Sequence, residues 1–156
     1  MTDRALNFHI WARNASAAQE LSTDLNASGY NAITVPDLNA AIGAADIITT
    51  TTNATKPLFA DGLVRKGSHV TAIGADCPGK QELPTKLVAT ASLRVCDMAS
   101  QSLHHGEFQT AQRGDASLQV TELGHILSGA QKGRTSDEAV SYTHLRAHET
   151  RGNLVC

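Results

Sequence analysis

Residues 70–83 read VTAIGADCPGKQEL, an apolar run that ends in a carboxylate, a thiol, a Pro-Gly pair and an ammonium at Asp76, Cys77, Pro78, Gly79 and Lys80. Four readings are open: a thiol nucleophile, a metal ligand set, a plain turn, or a carboxylate set at the mouth of a cleft. A nucleophilic cysteine needs a base within hydrogen-bond reach. The nearest histidine in sequence, His69, lies at the opposite end of the same predicted strand, so Cys77 reads as a spectator. His104, His105 and Glu107 lack both an i, i+4 histidine pair and an obvious third ligand. They are expected to cap and solvate a helix end, and no metal site is predicted. An Asp before Pro-Gly is ordinarily a turn residue. A carboxylate at a strand end, partly shielded by a bound ring, can instead have its pKa raised towards working pH and shuttle a proton.

The surrounding pattern supplies strands to carry such a group. Asn7–Ala12, Asn31–Val35, Asp46–Thr52, His69–Gly74 and Leu93–Asp97 are short apolar or β-branched runs and read as strands. Between them, Ser16–Leu25 places Ala17, Leu21 and Leu25 on one helical face, with Asn14 or Ser16 as cap and Gly29 as terminator. Asp37 caps a short helix with Leu38, Ala41 and Ile42 on its buried side. Leu58–Gly67 suits a helical crossover, and Glu82–Ala91 a helix with Pro84 in its first turn. The region after Asp97 reads as mostly helical. Strands alternating with helices predict an α/β fold with a parallel sheet covered on both faces. Ligands bind at the carboxyl ends of such strands, and three of those ends carry polar residues: ARN, TTTTNA and GADCPGK.

Composition narrows the function classes. The chain has 156 residues, a formal charge of −2 and a pI near 6.4. This gives no electrostatic reason to expect nucleic acid or an anionic membrane as partner. No apolar run approaches the roughly 20 residues of a membrane span. Three cysteines without a CxxC pair favour a reducing, cytoplasmic setting. Cys96 sits in an apolar strand and reads as core; His125 reads as an ordinary helical residue.

The segments IWAR, ADIITTTTNATKPLF, GSHVTAIGADCPGKQEL, HGEF and ELGHILSGAQKGRTSDEA, in this order, resemble the ornithine cyclodeaminase/mu-crystallin family. The similarity runs over almost all of Arg4–Ala139, and GADCPGKQEL is its most specific part. The resemblance implies a Rossmann-like, doubly wound parallel sheet that binds NAD(H) or NADP(H). It also implies hydride transfer at the α-carbon of an amino or imino acid, and a homodimer for the full-length protein. Asp76 matches the family's catalytic acid/base and Lys80 a cofactor contact. Ile73, Gly74 and Ala75 would wall the nicotinamide, and Thr50, Thr52 and Asn53 would face phosphates or ribose. Where an NAD site ordinarily has a carboxylate after its second strand, this chain has Ala12, Arg13 and Asn14, which favours NADP(H).

The resemblance also sets the expected limits of the domain. No Gly-rich phosphate loop occurs near Met1, so residues 1–139 read as a partial cofactor domain lacking its first βα unit, inactive alone. Residues 140–156 contain SYTHLRAHET, which looks like the translated read-through of a sequencing adapter, and are expected to lie outside the fold. A non-catalytic, crystallin-like NADP(H)-binding protein and a Cys77 thiol hydrolase are the rival readings.

Overall fold

The structure, a computed structural model, describes residues 6–144. It divides into two compact units, Met1–Ile42 and Gly43–Cys156.

In the first unit, β1 (Asn7–Ile10), α1 (Ala15–Ala27) and β2 (Asn31–Thr34) form a parallel βαβ unit, followed by α2 (Leu38–Ala44). The strands pair in register from Asn7↔Asn31 to Ile10↔Thr34. Asn14 caps α1, its side-chain oxygen accepting the Ser16 N–H at 3.0 Å, and Gly29 ends the helix with φ +86. Asp37 caps α2 through the Ala40 N–H at 3.1 Å. The buried face of α1 is displaced one residue from the predicted one: Ala18 and Ser22 are buried, while Leu21 is 49% exposed. The cause is polar. The Ala32 carbonyl of β2 accepts from the Ser22 hydroxyl (2.9 Å) and the Asn26 amide (2.8 Å), and the Ala32 N–H donates back to Asn26. Satisfying these backbone groups fixes the helix rotation more strictly than burying Leu21 would.

The second unit holds a sheet in the order β3-β4-β7-β5-β6, parallel throughout. Its strands are β3 (Ile47–Thr50), β4 (His69–Ala72), β5 (Leu93–Cys96), β6 (Thr121–Glu122) and β7 (Ser141–His144). Its helices are short: α3 (Thr85–Thr90), α4 (Ala99–Ser102), α5 (Phe108–Gly114) and α6 (Leu123–Leu127). The expected helix over 58–67 is absent, replaced by turns with Gly62 and Gly67 at positive φ. Its backbone is recruited elsewhere: Leu58 N–H donates to the Glu82 carbonyl at 2.8 Å, and Gly67 N–H to Glu138 at 3.0 Å. Pro84 stands at the N-cap of α3.

Ser141–His144, at the start of the segment set apart above, occupies the slot between β4 and β5. Tyr142, 1% exposed, packs edge-on against Phe108 with ring centroids 5.0 Å apart. Val70, Ala72, Leu83, Val88, Cys96 and Phe108 complete this core. β3 is an edge strand, and its Ile47 is 65% exposed. Among the described residues, no helix is long and apolar enough to cross a membrane.

Candidate functional site

The ladder between β3 and β4 ends where Ile73 N–H donates to the Thr50 carbonyl at 2.9 Å. Past that point the Thr52 and Gly74 amides turn to a side-chain acceptor. Glu82 supplies it. Its carboxylate, fully buried, accepts the Thr52 N–H at 2.5 Å, the Gly74 N–H at 2.9 Å and the Thr50 hydroxyl at 2.8 Å. Gly74 is required by this approach of β3. A Cβ there would lie 2.0 Å from the Thr52 carbonyl oxygen, 2.5 Å from its nitrogen and 2.7 Å from the Glu82 carboxylate.

The next residues form the turn that carries Asp76. Lys80 N–H donates to the Cys77 carbonyl at 3.2 Å, with Gly79 at φ +81. The Lys80 ammonium meets the Asp76 carboxylate at 2.5 Å, with side chains 27% and 39% exposed respectively. Gln109 of α5, buried, braces this turn from below: its carbonyl accepts the Gly79 N–H at 3.2 Å, and its amide donates to Lys80 and Gly106 carbonyls at 3.3 and 2.9 Å.

Two residues before Gln109, Glu107 holds the backbone of Glu82 itself. It accepts the Glu82 N–H at 2.6 Å and the Leu83 N–H at 3.1 Å. Burial pushes the Glu107 carboxyl up to about 7, the two N–H donors pull the other way, and the charge on Glu82 adds to the rise. Burial also raises the Tyr142 phenol, with Glu107 and Glu82 adding their charge. The Tyr142 hydroxyl and His105 Nδ1 are buried without a hydrogen-bond partner among the described residues.

The second unit therefore brings together Thr50, Thr52, Asn53, Ile73, Gly74, Ala75, Asp76 and Lys80 at the carboxyl ends of two adjacent parallel strands. Asn53 is exposed and Thr52 and Ile73 are half-buried, whereas Ala75 is fully buried and the Thr50 hydroxyl is engaged by Glu82. Arg13 and Asn14 belong to the first unit, where Arg13 is exposed just past β1 and Asn14 is the helix cap. Cys77 is 8% exposed. His69 Nδ1 lies 2.7 Å from the Ser141 hydroxyl and Nε2 lies 3.1 Å from Thr71, its pKa lowered by burial and by Arg134.

Glu107 overturns the expectation of a solvated helix end. It is 1% exposed, because two backbone N–H groups at 82–83 need an acceptor inside the core. Glu82 and Gln109 also escaped sequence reasoning. The available signal for Glu82 was an acidic residue directly ahead of Leu83-Pro84, where a helix start was the simpler account. Among the described residues, no group of three or more His, Cys, Asp or Glu could hold a metal ion. A pocket of about 290 Å³ between 59–66 and α3 shares no residue with the strand-end group.

Parallel strands with polar groups gathered at their carboxyl ends define a Rossmann-like α/β protein. The solved structures bear this out and narrow it. An archaeal alanine dehydrogenase dimer with bound NAD superposes with a TM-score of 0.77 at 31% identity, over 85% of this chain and 42% of that one. The iminosuccinate reductase of Paracoccus denitrificans in complex with NAD+ gives 0.80 at 30% identity, over 89% of this chain and 43% of that one. A Delta(1)-pyrroline-2-carboxylate reductase of Bacillus cereus is 40% identical over 117 residues, 72% of this chain and 36% of its own length. The profile of the ornithine cyclodeaminase/mu-crystallin family matches residues 5–142, and the chain belongs to that family. It spans less than half the length of each of these three relatives.

Proposed function

We propose that this chain is the latter part of the cofactor domain of an NAD(P)-dependent enzyme acting on a small amino or imino acid, as an imine reductase, dehydrogenase or cyclodeaminase. The observation that carries the reading is the Asp76–Lys80 pair, seated beyond β4 on a braced turn. A nicotinamide dinucleotide fits the donor set there. Thr52, Asn53 and Lys80 offer a hydroxyl, an amide and an ammonium suited to phosphate and ribose oxygens. Within the first unit, Arg13 carries a guanidinium of the kind that suits a 2′-phosphate. When bound, that cofactor supplies or accepts a hydride at the substrate's α-carbon.

The chain's own residues then manage the proton. Asp76, partly exposed, holds a proton at a carboxylate oxygen and exchanges it with the substrate nitrogen or an attacking water. Lys80, its ion-pair partner, limits the rotation of the carboxyl group. Residues 1–139 are read as native to this domain and 140–156 as adapter-derived; Ser141–His144 of that segment pair as β7, and residues 145–156 lie outside the described residues.

Asp76→Asn tests the assignment in a polypeptide of the relatives' full length that contains this chain. Turnover should fall by roughly 10²-fold or more with cofactor affinity nearly intact. Near-normal turnover removes Asp76 from the mechanism. Cys77→Ala should leave turnover close to wild type, and abolished activity there revives the thiol reading.

A further inference from the structure

The strand-end site stands on three buried polar side chains, Glu82, Glu107 and Gln109, that hold its backbone from inside. Among the described residues, Glu82 has no cation as a hydrogen-bond partner: its charge is met by two backbone N–H groups and one hydroxyl. Those donors come from the two strand exits, Thr50–Thr52 on one side and Gly74 on the other, so the carboxylate ties the exits to one another. Glu82's own backbone is fixed in turn by Glu107, while Gln109 fixes the Asp76–Lys80 turn. Both come from the start of one element, α5, two residues apart.

We propose that Glu82 is a positioning residue for the reaction, setting the distance between the exits of β3 and β4 and hence the location of Asp76, with Glu107 and Gln109 anchoring the pair to α5. A carboxylate suits the task because it accepts several hydrogen bonds and donates none. Charge-assisted hydrogen bonds to backbone N–H groups are short and directional, so they fix position more tightly than neutral ones. An amide at the same place turns an N–H₂ towards at least one of the three donors. The role in catalysis rests on the reading of Asp76 as the proton shuttle; the clamp itself does not.

The test separates the two. In the full 156-residue chain, Glu82→Gln is followed by amide hydrogen exchange. Exchange at Thr52 and Gly74 should speed up by roughly tenfold or more, while Val70, inside β4, holds its protection. Unchanged exchange at Thr52 and Gly74 overturns the clamp, whatever the enzyme does. In the relatives-length polypeptide, the same substitution should lower kcat by roughly tenfold or more, with cofactor Kd and substrate KM changed by less than about threefold. A proportionate rise in KM with kcat unaltered overturns the positioning role. If the wild-type polypeptide neither binds nicotinamide cofactor nor turns over, the Asp76 reading fails, and the exchange arm still decides the clamp. Should Glu82→Gln fail to fold, Thr50→Val removes one donor and keeps the carboxylate. It should shift exchange at Thr52 and Gly74 in the same direction by a smaller factor, restored by Thr50→Ser; no shift overturns the proposal.

Discussion

Gly74→Ala should be among the most damaging single-methyl additions in this chain, and the reason is backbone rather than conformation. The added Cβ meets the Thr52 carbonyl oxygen at 2.0 Å and the Thr52 nitrogen at 2.5 Å, neither of which can rotate away. Overpacking of this kind costs about 1–3 kcal/mol. Separating the strands enough to admit the methyl also lengthens the hydrogen bonds from Thr52 and Gly74 to Glu82. A buried donor left unsatisfied costs a further ~1–3 kcal/mol. The two costs overlap, so about 3 kcal/mol is the expected total, a large share of the ~5–15 kcal/mol that holds a domain together. Gly79→Ala is the control in the same loop. Nothing lies within 4 Å of its Cβ, and only its φ of +81 opposes the substitution; that costs about 1–2 kcal/mol. Urea unfolding followed at the β4 amides should place Gly74→Ala about 1–3 M below wild type in midpoint, for slopes of ~1–3 kcal/mol/M. Gly79→Ala should fall well short of that. If the two variants lose equal stability, the close approach of β3 to Gly74 is refuted.

Two further outcomes are expected. Glu107, its carboxyl raised from the ordinary 4.5 to about 7, binds more protons folded than unfolded between those values. Its contribution is therefore complete below about pH 4.5 and lost as pH rises through 7, by about 3 kcal/mol at most; denaturation of wild type and Glu107→Gln at pH 5 and pH 8 should show the variant lacking that decline. Arg13→Ala, in the relatives-length polypeptide, should weaken NADPH by roughly 10- to 150-fold and leave NADH almost unchanged in a fluorescence titration, and equal losses refute recognition of a 2′-phosphate.

What the sequence disclosed and what it withheld divide along a physical line. Hydrophobic runs and their turn residues are local, so the parallel α/β order, the caps at Asn14 and Asp37 and the placement of Asp76 and Lys80 past β4 were all readable. The rotation of α1 was not, because it is set by the backbone groups of Ala32 rather than by the apolar count. Leu58–Gly67 carries helix-compatible residues, yet its amides bond to distant strands and turns. Glu82, Glu107 and Gln109 were invisible for a related reason. Each satisfies backbone groups 24 to 30 residues away, at separations that leave no period in the sequence.

Those separations have a kinetic consequence. Parallel strands cannot be joined by a tight hairpin, so the contact from Thr52 to Glu82 closes a loop of 30 residues. Contacts of such range slow folding, and they come after the helices and turns that form within a few residues. The exits of β3 and β4 should therefore organise after those local elements during refolding. Pulse-labelled exchange at Thr52 and Gly74 would trail protection within the helix α1, and destabilising substitutions at this clamp would speed unfolding more than they slow folding.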